Sequence, residues 1–161
     1  MALWQFALDA FPAVKANVDG IDAIYLSRDM LDAMDLTLGP TQQLALFSAL
    51  GLLLPEKRPW SDELRIWGDE KADDITVFLD GQRIEGIQFR LEVSNLSIAL
   101  IGGICALARE FGWLFASRRG EVIQPTPEAI VRAVTQSPAS KFVRDPRGYL
   151  EQAITVDDEP A

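Results

Sequence analysis

The sequence predicts an α+β fold, an antiparallel sheet of about four to six strands with helices packed mainly on one face. Three observations lead there. Ile75, Val77 and Leu79 alternate with Thr76, Phe78 and Asp80, and Ile87, Phe89, Leu91 and Val93 alternate with Gln88, Arg90 and Glu92, the period of half-buried strands. Asp80-Gly81 between these runs suits a tight hairpin turn. Leu96, Leu100, Ile104, Leu107 and Phe111 then form a helical core stripe, so strands and helices alternate in blocks along the chain. The 161 residues fit one domain, assigned to residues 1–154, with an acidic flexible tail at 155–161.

Each element has a local reason. Leu3 to Asp9 has the content of an opening strand, ended by Pro12. Ser27 caps a short helix whose Asp29 suits the positive helix end, and Met30, Leu31 and Met34 face inward. Thr41 caps a second helix from Gln42 to about Leu53, apolar nearly all round and therefore buried or in an interface. Lys57-Arg58-Pro59 breaks the chain before a strand at 64–67. Ile84 and Ile87 stand an odd number apart, which predicts a β-bulge near Gly86.

Ser94 or Asn95 caps the next helix, and its Gly102-Gly103 pair reads as a close helix–sheet contact. Trp113 to Ala116 and Glu121 to Gln124 are two further strands. Thr126-Pro127-Glu128 opens a helix with Ile130, Ala133 and Val134 inward, stopping at Ser137-Pro138. Asp145-Pro146 opens a final helix carrying Tyr149, Leu150 and Ala153.

Charge and composition narrow the function. The net charge is −9, which opposes nucleic-acid binding, because that affinity comes from Lys and Arg displacing counterions. Residues 1–55 carry six acids against two bases and 56–92 ten against six, whereas 109–147 carry seven bases against four acids. Such polarity gives an acidic face able to steer a basic partner. The longest apolar runs, eleven residues each, are too short for a bilayer, and the first twelve residues lack a secretory pattern, so a cytoplasmic protein is expected.

Catalytic machinery is hard to find. Without histidine, Ser-His-Asp and Cys-His arrangements cannot form. Cys105 lies in an apolar helical pattern and reads as an inert thiol. Phosphate-cradling glycine loops are missing. The run Asp69-Glu70-Lys71-Ala72-Asp73-Asp74 lacks the spacing of a calcium loop and reads as a solvated turn. Asp62 and Glu63 with Asp69 would be the carboxylates of any glycosidase-like or metal-dependent site. Lys141, Arg144 and Arg147, with Arg118 and Arg119, read as salt-bridge partners rather than an anion site. No cofactor is expected.

What stands out instead is Trp60-Ser61-Asp62-Glu63-Leu64-Arg65-Ile66-Trp67-Gly68-Asp69-Glu70, two tryptophans among carboxylates beside the hairpin. Trp60 and Trp67 are either core residues closing the sheet or the aromatic anchors of an interface, while Trp4 and Trp113 read as core. Together with the strand pair, Glu121 to Ile130 and Phe142 to Leu150, this stretch resembles small bacterial proteins that are similar to the immunity proteins of interbacterial competition. The resemblance covers roughly residues 60–150, and its motifs are caps, turns and sheet aromatics.

The resemblance implies a non-catalytic module that neutralises a protein partner, a cognate toxin, by occlusion. Trp60 and Trp67 would be its apolar anchors and Asp62, Glu63, Asp69, Glu70, Asp73 and Asp74 its charge complement. Two rival expectations are a structural homodimer built on the 42–53 helix and a carboxylate enzyme using a divalent metal. Neither a nucleic acid nor a membrane is an expected partner.

Overall fold

The computed structural model describes residues 4–18, 21–145, 147, 148 and 150. Its main sheet is wholly antiparallel and contains seven strands in the order β4-β5-β6-β7-β1-β8-β9. These are β1 (Gln5–Pro12), β4 (Glu56–Lys57), β5 (Leu64–Gly68), β6 (Asp74–Asp80), β7 (Arg83–Glu92), β8 (Trp113–Ala116) and β9 (Val122–Ile123). A separate ribbon pairs β2 (Asn17–Val18) with β3 (Ile21–Asp22). The helices are α1 (Arg28–Asp32), α2 (Pro40–Leu53), α3 (Ile98–Phe111), α4 (Pro127–Thr135) and α5 (Pro138–Arg144).

The α+β class is as expected, and the sheet is larger than the four to six strands foreseen. The strand beyond the expected six is β4, two residues long and too short to carry a periodic pattern, while β9 falls within the strand expected at 121–124. β4 pairs Glu56 with Trp67 and Lys57 with Ile66, so the stretch read as a chain break is a sheet edge.

The alternation of apolar residues fixes which sheet face is buried. Phe6, Leu8, Trp67, Ile75, Val77, Ile87, Phe89, Leu91 and Phe115 form one face and pack with Leu46, Leu50, Ile101, Ile104, Ile130 and Val134 of the helices. Phe47 of α2 stacks on Trp67 at 5.9 Å, and the Arg65 guanidinium sits 4.1 Å from the Phe47 ring, capping this core at its edge. The opposite face is split. Around Phe11 and Ala116 it is covered by Ala16, Leu26 and Leu31, from the excursion between β1 and α2. Across β5, β6 and β7 the same face carries Leu64, Ile66, Thr76, Phe78, Gln88 and Arg90.

The excursion returns to the helix side around the hairpin end. Asp35 pairs with Arg83 at 3.3 Å, and Leu36, just beyond it, joins the main core. The β6–β7 hairpin turns on Gly81 and Gln82, with positive φ at Gly81, while Asp80 remains the last paired strand residue. The expected bulge is present, since Phe78 pairs with Gly86 and Leu79 with Ile84, leaving Glu85 extra.

Several local expectations give way to neighbouring residues. Gly39, not Thr41, precedes α2; Pro40 takes the first helical position and the Gln42 side chain accepts from the Gly39 N–H at 3.0 Å. Residues 93–95 form a 3₁₀ turn, which moves the α3 cap to Ser97, whose hydroxyl accepts from the Leu100 N–H. The Gly103 contact is helix–helix: a side chain there would strike Leu53 of α2, so its absence lets the two helices close. Ser137-Pro138 does not simply end α4, because Ser137 caps α5. Most of the helix expected from Asp145 onward, and the acidic tail, lie outside the described residues.

Candidate recognition surface

The Trp60 turn is built from short-range hydrogen bonds. Ser61 Oγ accepts from the Glu63 N–H at 3.2 Å, the Ser61 carbonyl accepts from Leu64, and the Glu63 carbonyl accepts from Leu79 of β6 at 2.7 Å. These tie the turn to the hairpin end of the sheet. Trp60, just before these bonded residues, is 77% exposed, near exposed Asp62 and Glu63.

Trp67 has the opposite fate. At 1% exposed it belongs to the core, as does Trp113, whereas Trp4, expected inside, is 41% exposed. β5 accounts for the difference between the two candidate tryptophans. It begins at the Trp60 turn and runs inward, so Trp67 lands on the helix face opposite Ile75.

The same strand divides the acidic residues. Glu63 and Asp69 are six residues apart along an extended strand, about 20 Å, so Asp62 and Glu63 stand at one end of β5 and Asp69 at the other. Paired-carboxylate chemistry needs separations within about 10 Å, which this placement does not provide.

The far-end acids are engaged within the fold. Asp69 Oδ1 accepts from the Lys71 N–H at 2.9 Å, Glu70 pairs with Lys57 at 3.2 Å, and Asp73 Oδ1 accepts from the Glu92 N–H at 2.7 Å. Burial pushes the Asp73 carboxyl above its ordinary range, and the Glu92 N–H opposes that shift. Asp74 is fully buried against the Arg90 guanidinium, which grips it through two hydrogen bonds. Gln5 Nε2 donates to the Glu70 and Ala72 carbonyls and fastens the whole loop to β1. Of the eight expected contact residues, Trp60, Asp62 and Glu63 form one exposed group, Asp69, Glu70 and Asp73 form a pinned loop, and Trp67 and Asp74 are interior.

A groove opens at the hairpin end, on the same sheet face as Leu64. Its volume is about 340 Å³, with Asp9 and Phe11 of β1, Phe78 of β6, and Glu85 and Gln88 of β7 on the sheet side. Arg28, Leu31, Asp32 and Met34 form the facing wall. Leu64, which directly follows the Trp60 turn, pairs with Phe78, so turn and groove are adjacent. Phe78 is 39% exposed and meets water although it is a large aromatic on a central strand.

Asp9 sits at the base of this groove. Its Oδ1 accepts from Gln88 Nε2 at 3.3 Å. Its Oδ2 is buried with no hydrogen-bond donor, the nearest cation being Arg28 Nη1 at 3.6 Å. Burial raises the Asp9 carboxyl above its ordinary value, against the opposing influence of Arg28, Gln88 and Arg118.

A carboxyl group raised in the folded state favours the protonated form there. Its contribution is fully present below the unfolded value of 3.8 and is lost as pH rises through the folded one. Ionised Asp9 therefore costs stability at neutral pH, and Asp9→Asn is expected to stabilise the protein by about 1 kcal/mol at pH 7. The gain over wild type should shrink as pH is lowered toward the ordinary carboxylate range. Urea denaturation at the two pH values measures it, and a gain unchanged by acid contradicts the assignment.

Sequence reading passed over Asp9, Arg28, Asp32, Phe78 and Glu85 as a group. A signal existed at Phe78, which occupies the polar phase of its strand, and at Asp9, the acid inside an otherwise apolar strand. Cys105 is buried and its thiol is pushed up to about 11 by desolvation, which makes it a poor nucleophile. No helix among the described residues is long and apolar enough to cross a membrane. Compared with known protein families, curated proteins and solved structures, the chain matches none.

Proposed function

We propose that the protein is a non-catalytic, immunity-like binding module of the cytoplasm, which neutralises a toxin or similar protein partner by covering it. The observation that carries this reading is Trp60, 77% exposed on a turn fixed by three hydrogen bonds and flanked by Asp62 and Glu63. The backbone after Trp60 is fixed before binding, so little beyond the side chain itself has to be ordered, and the exposed ring offers a large contact area. Acidic neighbours raise the association rate with a basic surface and select against acidic ones. The contact surface supported by this geometry is smaller than the sequence expectation: it centres on Trp60, Asp62 and Glu63, with Phe78 beside them.

The test is affinity capture from the native host with wild type and with Trp60→Ala. An exposed tryptophan contributes little to folding, so the variant should keep its stability to about 0.5 kcal/mol while losing the captured protein. Capture that is indifferent to Trp60→Ala, or no capture at all, including of any toxin encoded nearby, removes this reading.

A second reading is favoured by α2, which has no charged residue between Pro40 and Leu53 and leaves Leu44 71% and Leu52 89% exposed. A homodimer through that face would cover both. Light scattering over a concentration range separates the two, since a monomer at every concentration eliminates the dimer.

A further inference from the structure

The outer face of the helix layer is free of charge. From Pro40 to Pro55 the chain has no charged residue, and α3 has none before Arg109. Leu53 of α2 lies against Gly103 of α3, which sets the two helices side by side. In the middle of α2 the residues turned to water are Leu44, Ala45, Ser48, Gly51 and Leu52, the spacing of one helix face. Ile98 of α3 is 64% exposed.

Two glycines on these helices have no use inside the fold. Glycine within a helix is less stable than alanine, so a helical glycine calls for a close approach. Leu53 makes that approach at Gly103. At Gly51 and Gly102 a Cβ would meet no described atom within 4 Å, so contacts within the chain give no reason for either. Small surface residues let a second helix come near, because the side chains at the contact set the distance between helix axes.

The order of residues along α2 says what covers it. The pattern large, small, small, small, large is symmetric about Ser48: Leu44 and Leu52 stand four residues to either side, Ala45 and Gly51 three. An antiparallel pair of identical helices with its two-fold axis at Ser48 sets Leu44 against Leu52 of the other copy and Ala45 against its Gly51. A parallel pair matches any sequence with itself and needs no such symmetry. The antiparallel pair also brings the positive end of each helix near the negative end of the other.

We propose that a second copy of the chain covers this face through an antiparallel α2–α2 contact centred on Ser48, with Gly102 of α3 at its flank. The proposal rests on the dimer reading of α2 and adds its axis and its facing residues. A charged partner gains nothing on this face, and two copies of net charge −9 meet at least cost where neither carries charge. A membrane fits less well, because interfacial helices carry a basic polar face and anionic lipid repels an acidic protein. With 14 residues, α2 is about 21 Å long. Such a footprint is at the small end for a specific contact, so the dimer should form at roughly micromolar concentration.

Sedimentation equilibrium of the full chain and cysteine crosslinking test the contact together. Wild type should shift from monomer to dimer with concentration. Leu52→Lys, at a position already 89% exposed, should weaken the dimer at least tenfold while the chain stays folded. Ser48→Cys should crosslink to itself under mild oxidation, since residues on the axis come within disulfide reach. Leu44→Cys and Leu52→Cys should each crosslink poorly alone and efficiently when mixed. Cys105 is buried and adds no background.

A monomer at every concentration, or a dimer indifferent to Leu52→Lys, overturns the proposal and the dimer reading with it. A dimer that Leu52→Lys dissociates, but in which Ser48→Cys does not crosslink, removes the axis and leaves the dimer reading standing. Leu44→Cys and Leu52→Cys crosslinking to themselves as strongly as Ser48→Cys means a parallel pair, which also overturns the proposal. A monomer that floats with phosphatidylcholine vesicles, and loses that binding in Leu52→Lys, assigns the face to a membrane instead.

Discussion

Arg90→Leu is expected to lower the stability of the protein by about 3–5 kcal/mol, the usual cost of leaving one member of a buried ion pair behind. Asp74 is wholly buried and both its oxygens accept from the Arg90 guanidinium, while Arg90 itself is 21% exposed. The pair spans β6 and β7 directly opposite each other, in the middle of the sheet. With leucine in place, the carboxylate would face an apolar neighbour from a position water does not reach. The fold must then either protonate Asp74 or open the strand pair.

The bond to Asp74 raises the Arg90 guanidinium further above its already high ordinary value, so Arg90 stays charged throughout the accessible pH range. Chemical denaturation of Arg90→Leu and of the double variant Asp74→Leu/Arg90→Leu separates the two contributions. The double variant should recover most of the loss, because replacing both partners removes the stranded charge. If both variants lose equally, the pair contributes packing rather than charge compensation.

The ion pair also shows where sequence reading stops. The hairpin of β6 and β7, the bulge at Glu85, the α3 core stripe and the Thr126 cap of α4 were all legible, because each is set by residues within one or two turns of chain. Asp74 and Arg90 are sixteen residues apart, and they face each other only because the bulge shifts the register by one residue. The same limit governs the candidate surface. The sequence placed Trp60 and Trp67 together because they are seven residues apart, but a strand between them sends one to water and the other to the core. Conversely Asp9, Arg28, Phe78 and Glu85 are spread over 77 residues and meet only because β1 lies beside β7 and α1 folds across both. Composition gave their charge, and only topology gave their grouping.

Gly120→Ala should be nearly as damaging, and for a reason that bears on the groove. Gly120 has φ +83°, a left-handed conformation that costs an alanine about 1–2 kcal/mol. A Cβ there would also strike the carbonyl oxygen of Leu26, which belongs to the backbone and cannot rotate away. That contact is close because the Gly120 carbonyl accepts from the Leu26 N–H at 2.7 Å, and the neighbouring Tyr25 and Glu121 form a bridge. Together these bonds clamp the excursion, with α1 on it, against the β8–β9 turn.

Strain and collision together place the expected loss at about 3 kcal/mol. Thermal unfolding measures the global part. Amide exchange distinguishes how it is taken up: release of the clamp should speed exchange at Leu26 and in α1 while leaving β6 and β7 protected. The clamp also sets the groove's outer wall, since α1 supplies Arg28, Leu31 and Asp32 to it. Fast exchange confined to Leu26 and α1 ties the loss to the clamp, whereas equally fast exchange across β6 and β7 shows that the excursion and the central sheet unfold as one unit.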